Sequence, residues 1–168
     1  CEANLQKCFD INYNLTIELT NISKKLDLKL IFISSDQVYD GNSSYNKESD
    51  KLFNNNVYAQ SKIFSEDYII DNLNDYLILR TNFFGFSLNN RSFLEFIYLN
   101  LSKKNPINLW SDIYFNPLNV MTLTNIIRQL MNDNSVGIYN LCSDKKISKL
   151  NFGYLIAKKY NFDLSLIN

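Results

Sequence analysis

The sequence contains no histidine, and that absence removes a large share of enzyme chemistry. Without an imidazole there is no Ser-His-Asp or Cys-His machinery, and a transition metal loses its commonest ligand, so no metal site is expected. Glycine is nearly as scarce. Gly41, Gly85, Gly137 and Gly153 are the four in the chain, and they are scattered. No glycine-rich strand-to-helix turn exists to cradle a dinucleotide pyrophosphate. The three cysteines, Cys1, Cys8 and Cys142, are odd in number and form no Cys-x-x-Cys. They predict reduced thiols in a cytoplasmic protein. Seventeen basic and seventeen acidic residues leave a formal net charge of zero. That balance argues against a nucleic-acid or membrane surface as partner. No apolar run is long enough to span a bilayer, and no signal-peptide pattern is present.

What is present is a folding pattern. With 168 residues and 46% apolar content, the chain can build a real core. Leu5, Phe9, Ile11, Leu15, Leu19 and Ile22 recur at three- and four-residue steps and predict a helix over 4–25. Leu28 to Ile33 reads as a buried parallel strand. A long polar loop over 34–56 follows, and Asn56 caps a helix over 57–73 whose apolar face is Ile63, Phe64, Tyr68 and Ile69. Tyr76 to Arg80 is a second buried strand. Further on come a helix over 92–103, a short strand over 107–110, a helix over 122–131 and a strand over 137–141. Ser148 caps a last helix reaching about Tyr160, and 162–168 trail off without a turn. Strands alternating with helices imply an α/β fold with a parallel sheet.

The chemistry centres on Tyr58-Ala59-Gln60-Ser61-Lys62. Four residues separate phenol from ammonium, which puts both on one face of a helix. A lysine beside a tyrosine favours the phenolate, lowers the phenol pKa and readies the pair for proton transfer to or from a carbonyl or alcohol oxygen. Upstream, the strand ends abruptly in Ser34-Ser35-Asp36-Gln37-Val38-Tyr39-Asp40-Gly41. A serine at a strand's carboxyl end can hydrogen-bond a substrate oxygen next to the tyrosine.

Together these stretches resemble the extended short-chain dehydrogenase/reductase superfamily. Ser34 to Gly41, Tyr45, Glu48, Val57 to Lys62 and Glu66 are similar to its dTDP-4-dehydrorhamnose reductase branch. Leu79-Arg80-Thr81-Asn82-Phe83-Phe84-Gly85 and Gly137-Ile138-Tyr139-Asn140-Leu141 continue the likeness, with Asn140 where the family has histidine. Ser92 replaces the family's asparagine, which weakens any ligand role there.

The resemblance implies a Rossmann-like parallel sheet. Residues 1–85 would be the C-terminal part of the NAD(P)-binding domain, and 86–168 would hold part of a small substrate-binding lobe with the remaining sheet elements. It implies Ser35, Tyr58 and Lys62 as catalytic residues, with Ser34 as the substitute for Ser35. NADP or NAD would be held by Tyr58, Lys62, Thr81 and Asn12. A nucleotide sugar would meet Asp36, Tyr39, Asn82 and Phe83. Local alternatives stay open: Asn12 also reads as a solvated helix residue, Asp36 as an Asx turn former and Phe83 as core. The missing glycine turn and the start at Cys1 imply a fragment of a longer reductase, with the sheet's inner edge uncovered and a homodimer left open. The expected activity is NAD(P)H-dependent reduction of a 4-keto nucleotide sugar in polysaccharide biosynthesis. The alternatives are a nucleotide-sugar epimerase or dehydratase, or a regulatory subunit like that of methionine adenosyltransferase.

Overall fold

The computed structural model describes residues 1–42, 45–89 and 92–168; Ser43 and Ser44 of the long loop lie outside them. The chain divides into two compact units, Cys1–Thr81 with Arg128–Leu141, and Asn82–Ile127 with Cys142–Asn168. The division falls at Thr81, and the strand over 137–141 returns to the first unit.

The first unit is built on a three-stranded parallel sheet. Its strands are β1 (Leu30–Ile33), β2 (Tyr76–Thr81) and, last in the chain, Gly137–Leu141, in the order just given. The middle strand is fully buried from Leu77 to Thr81. β1 is an edge strand and only half-buried, against the expectation of a buried strand, because it has a neighbour on one side alone.

Helix α1 (Leu5–Phe9), a π-helical turn (Asp10–Asn14) and α2 (Leu15–Leu26) follow one another before β1. The apolar periodicity marks the helix correctly but not its buried face. Leu15, Leu19 and Ile22 are about half exposed, while Thr16, Thr20 and Ser23 are buried. Burying these hydroxyls is cheap, since Thr16 donates to the Asn12 carbonyl at 2.6 Å and Thr20 to that of Thr16 at 2.7 Å. Helix α3 (Val57–Asn72) repeats the pattern. It buries Ala59, Ser61, Ser65, Glu66 and Ile69 and leaves Phe64 exposed. Small residues let neighbouring backbones approach closely.

Cys1 and Cys8 form a disulfide, which corrects the expectation of reduced thiols. The first helical turn brings their Cα atoms to 4.7 Å, inside the range a disulfide needs. Cys142 is exposed.

The second unit starts with β3 (Phe83–Phe84) and α4 (Phe93–Ser102). It continues through β4 (Tyr114–Phe115), β5 (Leu118–Asn119) and the first part of α5 (Val120–Asn132). Strand β6 is the Gly137–Leu141 strand of the first unit; β7 (Ile147–Ser148) and α6 (Lys149–Lys159) complete the second. Leu94, Ile97 and Leu101 of α4 pack with Phe152, Ile156 and Ala157 of α6, and with Ile107, Phe115 and Ile167. The expected strand over 107–110 reduces to one parallel bridge, Ile107 to Ile167. The tail is not structureless: a 3-10 turn over Leu164–Leu166 leads into that pairing. Ser148 caps α6 by accepting from the Asn151 amide at 3.1 Å. Ser92 caps α4 in a reciprocal box with Glu95, a structural use of the residue that departs from the family's asparagine.

Candidate active site

The end of β1 and one face of α3 meet in the first unit. Ser35, Asp36, Tyr58 and Lys62 come together there. Ser35 opens a 3-10 turn (Asp36–Val38) and caps it, its Oγ accepting from the Gln37 amide at 3.2 Å. The same hydroxyl donates to Asp36 Oδ1 at 3.3 Å, and it stands close enough to the Tyr58 phenol to act on its ionisation. Asn56 caps α3 by accepting from the Ala59 amide at 2.7 Å, which starts the helix one residue before Tyr58. The Lys62 ammonium donates to the Ile33 carbonyl at 3.0 Å and sits over the Phe32 ring, 4.5 Å from its centroid. It lies 5.8 Å from the centroid of the Tyr58 ring.

The protonation of this pair differs from the expectation of a lowered phenol pKa. Burial pushes the Tyr58 phenol above its ordinary value; the Ser35 hydroxyl opposes this, and the Asp36 charge adds to it. Burial also lowers the Lys62 ammonium, against the pull of the Glu66 carboxylate. Tyr58 therefore holds its proton through neutral pH, which suits a proton donor.

Asn12 lies in the π-helical turn, a deviation that frees backbone groups from the helical ladder. Its carbonyl accepts from Ser65 Oγ of α3 at 2.8 Å, so its grip on α3 falls three residues past Lys62. Its amide nitrogen donates to the Cys8 carbonyl at 3.0 Å. Thr81 closes β2, and its Oγ1 is buried with no hydrogen-bond partner among the described residues. A buried hydroxyl in that state is costly unless a ligand or water completes it. Asn82 and Phe83 belong to the second unit, where the Asn82 carbonyl accepts from the Leu118 amide at 2.9 Å and Phe83 is half exposed.

Tyr39 is buried, and its hydroxyl is engaged inside the protein. It accepts from Arg80 Nη1 at 2.9 Å and lies 2.8 Å from Asn140 Oδ1. Arg80 and Glu66 form a buried ion pair, with Arg80 Nε and Nη2 reaching Glu66 Oε2 at 3.0 and 2.6 Å. Ser34 Oγ donates to Glu66 Oε1. Reading the sequence for catalytic types passes over this network. Two signals mark it: a charge ending an otherwise apolar strand, Tyr-Leu-Ile-Leu-Arg, and a glutamate one turn beyond Lys62. A buried charge requires a partner.

Comparison with known proteins places the whole chain rather than the site. The sequence matches the RmlD substrate binding domain family over residues 1–168. It is 23% identical to a probable low-salt glycan biosynthesis reductase, Agl14, of Haloferax volcanii, over 99% of this chain and 57% of that protein. A crystal structure of a hypothetical dTDP-4-dehydrorhamnose reductase from Sulfolobus tokodaii superposes with a TM-score of 0.85 at 26% identity, covering 96% of this chain and 57% of that one. The dTDP-4-dehydrorhamnose reductase of Bacillus anthracis, solved with NADP, gives a TM-score of 0.89 at 22% identity over 97% of this chain and 58% of that one. The chain thus spans a little over half the length of the relatives it matches. With its whole length matched and a Rossmann-like sheet in place, the chain belongs to the RmlD substrate binding domain family, the dTDP-4-dehydrorhamnose reductase-like branch of the extended short-chain dehydrogenase/reductase superfamily.

Proposed function

We propose that the protein carrying this chain reduces a keto group on a nucleotide-activated sugar with NADPH or NADH, in nucleotide-sugar and glycan biosynthesis. The observation that carries this reading is the meeting of Ser35, at the end of β1, with Tyr58 and Lys62 on one face of α3, Lys62 being tied to the Ile33 carbonyl and 5.8 Å from the Tyr58 ring. The cofactor of the Bacillus anthracis relative suits the residues present. An ammonium has three donors, and Ile33 takes one from Lys62. Thr81 offers a buried hydroxyl that a ligand can satisfy. Lys62 and Thr81, with Tyr58 and Asn12 nearby in the sequence pattern, would hold the nicotinamide ribose side of the molecule. When bound, the reduced nicotinamide supplies hydride.

The chain's own residues supply the rest. Tyr58, protonated at neutral pH, gives its proton to the substrate oxygen. Ser35 hydrogen-bonds that same oxygen as negative charge grows on it. Lys62 stabilises the phenolate left behind until it is reprotonated. Asp36, Tyr39, Asn82 and Phe83 remain the proposed sugar-nucleotide side, with Tyr39 acting there through the loop it anchors. The fold class, family and glycan-reductase relative support reduction over a pure binding role.

The test uses protein expressed from its whole reading frame. It is given NADPH, then NADH, with dTDP-4-dehydro-6-deoxy sugars and their UDP counterparts, and the alcohol product is identified. One alcohol formed per cofactor oxidised is the expected result. Tight cofactor binding with no oxidation on any keto sugar would replace this reading with a regulatory one.

A further inference from the structure

Three consecutive residues at the end of β1 grip one face of α3. The Ile33 carbonyl accepts from Lys62, Ser34 donates to Glu66, and Ser35 stands by Tyr58 closely enough to act on its ionisation. Tyr58, Lys62 and Glu66 are spaced four residues apart, so they form a single row on the helix. Two of the three rungs belong to the proposed chemistry. The third, Glu66, is fully buried and is held from the far side by Arg80. Arg80 is anchored in turn: its Nη1 donates to the Glu48 carbonyl at 3.0 Å and to Tyr39, whose hydroxyl meets Asn140. Asn140 Nδ2 donates to the Asn46 carbonyl at 2.9 Å, and its backbone amide to Glu48 Oε1 at 2.8 Å. The network thus joins α3, β1, β2, β6 and the loop that runs from Ser35 to Tyr58.

We propose that Glu66, clamped between Ser34 and Arg80, is a positioning residue that fixes the register of α3 against the end of β1, and so sets how Ser35 meets Tyr58 and how far Lys62 reaches. The inference deepens the proposed reductase reading and rests on it for the kinetic consequence. The geometry explains why a charge pair is used. An apolar contact slides, whereas a guanidinium fork on a carboxylate fixes both distance and direction. A slip of α3 along the strand end would part Ser35 from Tyr58 first, since Lys62 and Glu66 are each tied to the strand end by a hydrogen bond of their own. Misplacement of about 1 Å can cost about a hundredfold in rate. Asp36 from the loop is the charge that acts on Tyr58 and Glu66 the one that acts on Lys62, while Arg80 on β2 and Asp67 on α3 act on Glu66.

The experiment compares wild type, Ser34→Ala and the double replacement Glu66→Met/Arg80→Met, all as the product of the whole reading frame. Replacing both charges with residues of similar length removes the clamp without stranding a buried ion. Two readouts are taken. The first is kcat and KM for the keto sugar. The second is the ionisation of Tyr58 without cofactor, read as the tyrosinate difference between each protein and the same protein carrying Tyr58→Phe. The subtraction isolates one of the chain's 11 tyrosines.

The expected result for the double variant is a folded protein whose kcat is down about tenfold to a hundredfold. KM should change little, and Tyr58 should ionise at higher pH as its contact with Ser35 is lost. Ser34→Ala, which removes one hydroxyl, moves both readouts the same way by less, and stands in if the double variant does not fold. Wild-type kcat and unmoved Tyr58 ionisation would overturn the inference and leave the pair a stability feature. If wild type reduces no keto sugar, the reductase reading fails on its own. The ionisation readout then still decides whether the clamp sets the Ser35–Tyr58 contact.

Discussion

Replacing Glu66 with alanine should be among the most destabilising single changes in the first unit. Glu66 is fully buried and Arg80 is 4% exposed, so removing the carboxylate strands a guanidinium in the interior. Among the described residues its remaining hydrogen-bond partners would be neutral, the Tyr39 hydroxyl and the Glu48 carbonyl, with the Asp67 carboxylate acting on it without a direct bond. Breaking a buried pair this way costs about 3–5 kcal/mol. A domain's whole stability is about 5–15 kcal/mol, so this is a large part of it. Removing both charges is different. Glu66→Met/Arg80→Met should come within about 1 kcal/mol of wild type, because packed apolar side chains also escape the desolvation cost. The singles Glu66→Met and Arg80→Met, with the double, form a cycle with a coupling energy of several kcal/mol. Urea unfolding reads it. With a slope of about 2 kcal/mol per M, Glu66→Ala should lower the midpoint by about 2 M. A loss under about 1 kcal/mol for Glu66→Ala would refute the reasoning, since it would mean that water reaches Arg80. So would a double variant as unstable as the sum of the singles.

Three further outcomes follow from the geometry. Glu95 accepts from the Ser87 and Ser92 amides and from the Ser87 hydroxyl, which hold its pKa down to about 2 from 4.5. A depressed carboxylate stabilises the fold above its unfolded pKa, and the gain is lost as pH falls from about 4.5 towards 2; acid titration of Glu95→Gln should lack that loss. A Cβ at Gly153 on α6 would overlap the Leu109 side chain, so Gly153→Ala should lower stability by about 1–2 kcal/mol despite alanine's better helix propensity, as thermal unfolding would show. Without cofactor, burial should make Tyr58 ionise above the ordinary tyrosine value of about 10, and a value well below it would contradict the packing described.

Much of this was legible in the sequence, and the limits have physical causes. Helix positions follow from apolar periodicity and from caps such as Asn56 and Ser148, which act as expected. Which face is buried does not follow. On α2 and α3 the buried stripe is Thr, Ser and Ala, because hydroxyls that bond back to the preceding turn bury cheaply and allow close packing. The spacing of Tyr58 and Lys62 is a local property that singles them out, while Ser35 rather than Ser34 is implied by the family resemblance of the strand end. The protonation of Tyr58 and Lys62 is not legible locally, since burial outweighs the neighbouring charges. The Glu66–Arg80 pair joins residues 14 apart through the third dimension; a charge ending an apolar strand and a glutamate one turn past Lys62 hint at each member, but nothing local says that they pair. The Cys1–Cys8 disulfide hides in the same way: a count of three suggests thiols, but helix α1 brings two of them together. Residues 107–110 look like a strand by composition, yet among the described residues they form a single parallel bridge, Ile107 to Ile167.

The most direct test of the proposed chemistry is the turnover of Tyr58→Phe on a dTDP-4-dehydro-6-deoxy sugar, with NADPH binding measured in parallel. The phenylalanine keeps the ring over the site and deletes only the proton donor. Turnover should fall by about 10²–10⁴-fold while cofactor affinity stays close to that of wild type. Turnover within a few-fold of wild type would mean that Tyr58 is not the proton donor, and the mechanism built on it would fall.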